Sequence, residues 1–470
     1  MIRSSFERFV TLAVALSVAA CSGNADSAAT NVETGASTSS SPATRPTATP
    51  TPITRGMCKD FYPADFAFAE GRLAKPVPDL PEPKRGVATR DPNYGTCLVR
   101  ITDRAKDVPE APLIRNDYSR RQAFNADNTR TFAFTADGYW HLYDADSMKY
   151  LEKLPGLASE AEPQWNPTDA NLLWFLPVNG GMSIEQLDIR SGKITTVADF
   201  TGKLPDWAAT AEHVRTRAEG SPSKDGRYWG FQIEDADFAM LGYLVWDLVE
   251  NKPVGSLQMG VRPDHVSMSP SGRWFVSSGF DGTWAWSPDF SKKKKLNNGT
   301  EHSDIAIGAN GHDIYASIDY ESLGGEVFMA DIDACPVVDA ANTRASLCPR
   351  TKLFDTYVDG SKGALHISGK AFDHPGWIVV SPYGTQPKRD GKLPWFGDKI
   401  FALQLSANPR VIELADHRSI WDPKTTSYWF EPQATVNRDF TRIAFTSSWG
   451  SHQEAGLEAY MLQLPVDAIH

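Results

Sequence analysis

Histidine, arginine and carboxylate side chains recur at one position of a short motif in this sequence. The position lies three residues before an apolar anchor, and its occupants are Arg121, Glu162, Glu219, His265, Asp304, Ala364 and Gln433. Close by in the sequence lie Glu301, His302, His366 and Glu431. Imidazoles and carboxylates transfer protons near neutral pH, and arginines bind acidic groups. If these positions face one axis, they form a polar pocket suited to acid–base chemistry on an anionic substrate. The alternative is that they only satisfy backbone groups and water in a channel.

The motif also indicates the elements that carry these side chains. The motif has four positions in order: an apolar residue, then Asn or Ser, then Pro or a small residue, then Asp or Gly. A run rich in β-branched and aromatic residues follows it. We find seven copies. The runs that follow are 131–135, 172–176, 227–233, 273–278, 314–317, 377–381 and 442–446. Such runs, separated by Gly, Asn, Asp and Pro clusters, indicate strands and turns. The repeat predicts an all-β fold, a seven-bladed β-propeller whose innermost strands line a central channel.

The last repeat is one strand short, because the chain ends soon after Leu464. We expect the N-terminal run 96–102 to complete the last blade and close the ring, which removes an exposed sheet edge. Cys97 lies on this run, so a Cys58–Cys97 disulfide would fix the closure, and Cys335 would pair with Cys348. A zinc site built from cysteines is the alternative, although the sequence has no CxxC motif.

The N-terminus has the pattern of an export signal. Arg3 and Arg8 flank the polar start, an apolar stretch too short to span a bilayer follows, and Val18–Cys21 resembles the lipobox of bacterial lipoproteins. We therefore predict a signal peptide at 1–20, a disordered Ser/Thr/Pro/Ala linker at 21–55 and the propeller domain at 56–470. Lipid on Cys21 would anchor the protein to a membrane of the cell envelope. The alternative is an ordinary secretory signal in which Cys21 has no role.

Composition limits the choice of partner. The 470-residue chain has a formal net charge of −11 at pH 7, which argues against general nucleic-acid binding. An acidic ligand is still possible where positive side chains or a metal are concentrated locally. We expect a monomer.

Two stretches of the sequence resemble one enzyme family. The segment RQAFNADNTRTFAFTADGYWHLYDAD, within residues 118–154, and the segment EPQATVNRDFTRIAFTSSWG, together with 415–421, resemble the first and last blades of oligogalacturonate lyases. The resemblance implies a seven-bladed propeller that cleaves uronate-containing oligosaccharides by β-elimination. It also implies a histidine base for the C5 proton and a divalent metal, held by His and Gln residues, that neutralises the uronate carboxylate.

The resemblance assigns roles to individual residues. His265 matches the catalytic base. The His-x-His of the last blade is Glu431-Pro432-Gln433 here, the preceding Gln is Tyr428, and the histidine of the fifth blade falls at Asp304. The implied metal ligands are Asp304, His366, Glu431 and Gln433. His302, two residues before Asp304, is a further candidate for this ligand set and also a catalytic candidate. This mixture of oxygen and imidazole ligands suits Mn²⁺ or Ca²⁺.

The catalytic arginine of the family has no clear match in this sequence. Arg121 or Arg262 could replace it. We further expect Glu162, Glu219 and Arg262 to bind substrate.

Two functions of different classes follow from the sequence. The first is a secreted polysaccharide lyase that acts on an acidic, uronate-rich glycan, with His265, Arg121 and His302 as catalytic residues. The second is a non-catalytic surface propeller that binds a glycan or a protein partner. A glycosidase is a weaker third option, since it needs two opposed carboxylates, which Glu162, Glu219 and Glu431 could supply.

Overall fold

The computed structural model describes Thr54 and residues 56–469. These residues form an all-β protein of seven antiparallel sheets arranged as the blades of a ring, which confirms the predicted seven-bladed propeller. The predicted signal peptide, Cys21 and all of the predicted linker except Thr54 lie outside the described residues. Within the described part, no helix is both long enough and apolar enough to cross a membrane.

We number the blades 1 to 7 in chain order, from the innermost strand outward. The strands of blades 1 to 3 are Ile114–Arg115, Arg130–Thr135, Tyr139–Asp144 and Tyr150–Ala158; Gln164–Trp165, Leu172–Phe175, Ser183–Asp188 and Lys193–Asp199; and Ala211–Arg215, Tyr228–Asp235, Met240–Asp247 and Lys252–Gln258. The strands of blades 4 and 5 are His265–Met268, Phe275–Gly279, Gly282–Trp286, Lys292–Asn297 and Val338–Asp339; and Ser303–Ile307, Asp313–Asp319, Glu326–Asp331 and Thr351–Asp355.

The last two blades include strands from the N-terminal segment. The strands of blades 6 and 7 are Ala364–Ser368, Trp377–Tyr383, Lys399–Gln404, Val411–Asp416 and Ala69–Glu70; and Thr435–Val436, Arg442–Ser447, Glu458–Gln463, Cys97–Arg100 and Thr89–Arg90. The short helices are Gly56–Cys58, Arg104–Asp107, Asp206–Ala208, Tyr428–Phe430 and Glu454–Gly456.

The N-terminal segment contacts two blades. Cys97–Arg100 pairs antiparallel with Glu458–Gln463, and Ala69–Glu70 pairs with blade 6. A Cys58–Cys97 disulfide and a hydrogen bond of 2.6 Å from the Tyr62 hydroxyl to the Gln463 carbonyl hold this segment against blade 7. Both predicted disulfides, Cys58–Cys97 and Cys335–Cys348, are present.

The Asn or Ser of the repeated motif has a structural role at the turn after the innermost strand. Asn125 and Asn437 each accept a hydrogen bond of 2.9 Å at Oδ1 from the backbone N–H five residues later, and Ser223 accepts the same bond at Oγ. The Gly that follows in blade 3, Gly226, has φ +74°, and a Cβ there would lie 2.5 Å from the Trp174 ring. These local constraints explain why the motif repeats.

The innermost strand of blade 1 is interrupted, and the interruption fills the middle of the ring. Blade 1 pairs at Ile114–Arg115 and again at Phe124, and the intervening segment 116–122 leaves the sheet. The Arg120 guanidinium reaches blade 5, where it donates to the Ser303 carbonyl, and Thr435 of blade 7 donates to the Arg121 carbonyl. Segment 116–122 therefore crosses the axis and connects distant blades.

Candidate functional site

The first group of site residues surrounds His265, at the start of blade 4. Its side chain is 5% exposed, and Nδ1 lies 3.6 Å from Oε2 of Glu219 and 3.6 Å from Oδ2 of Asp264. The Arg120 guanidinium donates to the same Glu219 oxygen over 2.7 Å. The segments that carry Glu219 and Arg120 both lie outside the regular innermost strands, so their positions depend on the loops of blades 1 and 3.

Electrostatics keeps this imidazole neutral and the neighbouring carboxylate charged. Burial and the nearby Arg120 charge lower the pKa of His265, although Asp264 and Glu219 oppose the change. Burial alone would raise the pKa of Asp264, but its contact with His265 and the charge of Arg120 lower it below its ordinary value. Within the described part of the chain, no hydrogen bond to Nε2 of His265 is found. Both carboxylates lie 3.6 Å from Nδ1, and Nδ1 has no hydrogen-bond partner among the described residues. A neutral imidazole can act as a base.

The second group lies between blades 5, 6 and 7. The rings of His302 and His366 stack with centroids 4.4 Å apart, and Nε2 of His366 lies 2.7 Å from Oε2 of Glu431. His302 donates from Nδ1 to the Leu365 carbonyl over 2.7 Å. The ring of Tyr383 stacks on His366 with centroids 5.1 Å apart. Each imidazole therefore has a fixed orientation.

Burial sets the charge of this second group. Burial and the neighbouring His366 lower the pKa of His302 to about 4. Burial also lowers the pKa of His366 well below its ordinary value, with Arg120 and Arg115 acting in the same direction. Burial raises the pKa of Glu431, against the effect of His302 and Arg115. The charges of Arg115 and Arg120 thus both act on the His366 group.

Arg115, at the end of the innermost strand of blade 1, is 1% exposed. Its Nε donates to the Asn116 carbonyl over 2.8 Å and its Nη2 to the Asp117 carbonyl over 3.1 Å, whereas Nη1 has no hydrogen-bond partner. The rings of Tyr428 and Trp429 lie 5.5 and 5.4 Å from the guanidinium carbon. Burial lowers the pKa of Arg115, and Tyr428 and Glu431 partly offset this effect.

Several residues predicted as site residues make other contacts. Oδ1 of Asp304 lies 2.9 Å from Nζ of Lys370, and its Oδ2 accepts from the Gly369 amide over 2.7 Å. Nε2 of Gln433 lies 3.4 Å from Oε2 of Glu431, and Oε1 of Gln433 is buried without a partner. Asp304 is therefore held in a buried ion pair, while Gln433 stays beside the second group.

The remaining predicted residues stabilise loops. Arg121 contacts Asp117 and the Pro163 and Ala218 carbonyls, so Arg120, its neighbour in sequence, is the arginine beside the His265 group. Glu162 accepts from the backbone amides of Thr216 and Ala218.

Arg262 lies 3.1 Å from Glu234 and is 41% exposed. Its contact in the structure is thus an ion pair of blade 3.

The metal site implied by the resemblance does not fit these contacts. The direct contact between His366 and Glu431 leaves no space for a cation between those two atoms, and both oxygens of Asp304 are engaged by Lys370 and the backbone. Groups of three possible donors within 4.8 Å occur elsewhere in the described chain. They are Glu219, Asp264 and His265, and, at the far end of blade 5, His312, Asp331 and Asp333.

Comparisons with known proteins agree with the fold. The chain is similar to an oligogalacturonate lyase solved in complex with manganese, with 14% identity, a TM-score of 0.52 and coverage of 81% of this chain and 96% of that one. It is also similar to an oligogalacturonate lyase from Vibrio parahaemolyticus, with 11% identity, a TM-score of 0.54 and coverage of 80% and 96%. No family model matches the sequence, and no curated protein matches it.

Sequence reasoning did not find Arg115, Arg120, Asp264 or Tyr118, whose ring lies edge-on to the His366 ring with centroids 5.5 Å apart. Arg115 and Tyr118 precede the motif, and Arg120 is one residue from the position that the motif singles out. The adjacent pair Asp264-His265, a carboxylate beside the predicted base, was the one signal that could have found Asp264. The other three depend on how segment 116–122 crosses the axis, which the repeat pattern does not encode.

Proposed function

We propose that this protein is a polysaccharide lyase that cleaves a uronate-containing glycan by β-elimination, with His265 as the base. The observation that carries this proposal is the His265 group, a neutral imidazole with two carboxylates 3.6 Å from Nδ1 and no hydrogen bond to Nε2 among the described residues. The similarity in fold to two oligogalacturonate lyases supports the same reaction class.

The chemistry follows from the acidity of a proton beside a carboxylate. Nε2 of His265 removes the C5 proton, the C5–H electron pair forms the C4=C5 double bond, and the C4–O4 bond breaks with its electrons on O4. The leaving oxygen then takes a proton. Water can supply it, and the hydroxide that remains is neutralised by the proton that His265 has taken. The charge that develops on the substrate carboxylate needs a cationic or hydrogen-bonding partner.

The metal and the location complete the proposal. Because the implied ligands do not fit, we assign no step to Mn²⁺ or Ca²⁺. We propose an acidic oligosaccharide as substrate and a location at the bacterial cell envelope, with a lipid on Cys21 as the anchor. A monomer remains a prediction.

A non-catalytic propeller is the second candidate function. Two predicted site residues, Asp304 and Arg121, are engaged in buried ion pairs with Lys370 and Asp117. Such pairs are typical of a propeller channel in which charged side chains pair with one another and stabilise the fold, with no part in catalysis.

The two candidates are separated by a turnover assay. The purified chain is incubated with a panel of uronate polymers, with and without chelator, and the unsaturated product is followed by its ultraviolet absorbance. We expect absorbance to rise on at least one polymer. No product on any acidic glycan would leave the binding function as the better account.

A further inference from the structure

We infer that Arg115 binds the carboxylate of the substrate and takes the place that a metal ion would have, so that substrate binding needs no divalent cation. The inference rests on the proposed function and names the group that would neutralise the uronate. It follows from the disagreement between the implied metal ligands and the contacts in the structure.

The first step is the state of the arginines. Five arginines are buried in the described chain: Arg115, Arg120, Arg121, Arg215 and Arg442. Four of them have a carboxylate oxygen within 4.0 Å, and Arg115 alone does not. A buried charge without a counter-ion is unfavourable, and an anion that reaches it regains part of that free energy.

The second step is the unpartnered atom. Nη1 of Arg115 is buried without an acceptor, although Nε and Nη2 both donate to backbone carbonyls. Buried donors in folded proteins are almost always bonded, so an unbonded one indicates a missing acceptor. A carboxylate suits a guanidinium donor because the bond is charge-assisted.

The third step is location. Arg115 contacts Tyr428, and the charge of Glu431 acts on it. These residues stand at the positions to which the resemblance assigns the metal ligands. Glu431 is bonded to His366, so it does not form an ion pair with Arg115 within 4.0 Å. A positive charge therefore lies where the resemblance implies a metal ion, but this charge belongs to the Arg115 side chain.

The fourth step is access. Arg115 itself is 1% exposed, but Tyr428, whose ring centroid lies 5.5 Å from the Arg115 guanidinium carbon, is 48% exposed, so a residue in contact with Arg115 faces solvent. Arg120, the other candidate cation, is already paired with Glu219 over 2.7 Å. Arg115 is thus the arginine with charge available for a ligand.

The test measures binding separately from turnover. Calorimetric titration of the full chain carrying His265→Asn, in chelator, uses a galacturonate trimer as the probe and a galactose trimer as the neutral control. We expect the galacturonate trimer to bind without metal and Arg115→Met to weaken its binding by about 10- to 100-fold. Arg115→Lys, which keeps the charge, should weaken binding less.

Arg442→Met is the matched control, since Arg442 is also buried but is paired with Asp146 over 2.6 Å. This variant should bind the trimer like its parent. Thermal unfolding of each variant checks folding. If Arg115→Met does not fold, the binding of the galacturonate trimer to Arg115→Lys, and to the parent with and without chelator, still tests the inference.

Three results would overturn the inference. They are unchanged binding in Arg115→Met, binding that appears only when Mn²⁺ is added, and no binding of the galacturonate trimer under any condition. Failure of the proposed function gives a different pattern, in which the trimer binds in an Arg115-dependent way while the chain with native His265 releases no unsaturated product.

Discussion

The His265 group and the His366 group are both built from buried imidazoles and carboxylates, yet they are arranged differently. In the His265 group the carboxylates lie 3.6 Å from Nδ1, and no hydrogen bond engages Nε2. In the His366 group the imidazole is bonded to Glu431 over 2.7 Å and stacks on the rings of His302 and Tyr383, which also contact each other. The first group thus suits the proposed proton transfer. The second is a rigid group whose Glu431 acts electrostatically on Arg115.

The largest expected difference between the groups is in turnover. His265→Asn should lower kcat by about 100- to 10,000-fold, because it removes the base. His302→Asn should lower kcat by no more than about 10-fold, because His302 is engaged with the Leu365 carbonyl and has a positioning role. Initial rates on the active polymer measure both. Equal losses in the two variants would contradict the contrast between the groups.

The acid limb of the pH–rate profile tests the environment of the base. The lowered pKa of His265 keeps the imidazole neutral below its ordinary value of 6.5, so the rate should persist below that pH. Asp264→Asn removes an anion that raises this pKa, so the acid limb should move to lower pH while kcat falls about 10-fold through lost orientation. Arg120→Met should move the limb in the opposite direction. Profiles of kcat/KM from pH 4 to 8 would show the shifts, and identical limbs in all three proteins would remove His265 from the base role.

The smallest expected difference between the two groups is in the free energy of unfolding. Glu431→Gln should lower the free energy of unfolding by about 1 to 3 kcal/mol, because it disrupts the 2.7 Å hydrogen bond between this carboxyl group and the buried His366 ring. Glu219→Gln should cost less, since the Glu219 side chain is 27% exposed and its interactions are screened by solvent. Urea denaturation at pH 7 measures both values. A larger loss in Glu219→Gln would mean that the His265 group, not the His366 group, is the rigid part.

More of the fold than of the site could be predicted from the sequence. The turn residues of the motif, such as Asn125 and Asn437, bond to backbone five residues away, so the repeat is a local feature that sequence shows directly. The sequence favoured the observed cysteine pairs, but the structure decided them, because four cysteines allow three pairings. The partners of charged side chains were not, because they come from distant blades.

Arg120 and Arg121 illustrate the limit. Both are adjacent in sequence and buried, but Arg120 donates to Glu219, whereas Arg121 contacts Asp117 and the Ala218 carbonyl. Likewise, Asp304 occupies a motif position, yet Lys370, which lies 66 residues away, engages it. Motif position alone does not decide which side chain has charge available.

The sequence by itself determined the all-β class and the seven repeats, because these depend on period and turn chemistry, and it favoured one of the three pairings that four cysteines allow. Only the tertiary structure decided that segment 116–122 leaves blade 1 and crosses the axis. That crossing places Arg120 beside Glu219, whereas Nη1 of Arg115 has no hydrogen-bond partner among residues 56–469. The physical reason is that ion pairing in a propeller is set by distances between blades, which no local pattern encodes.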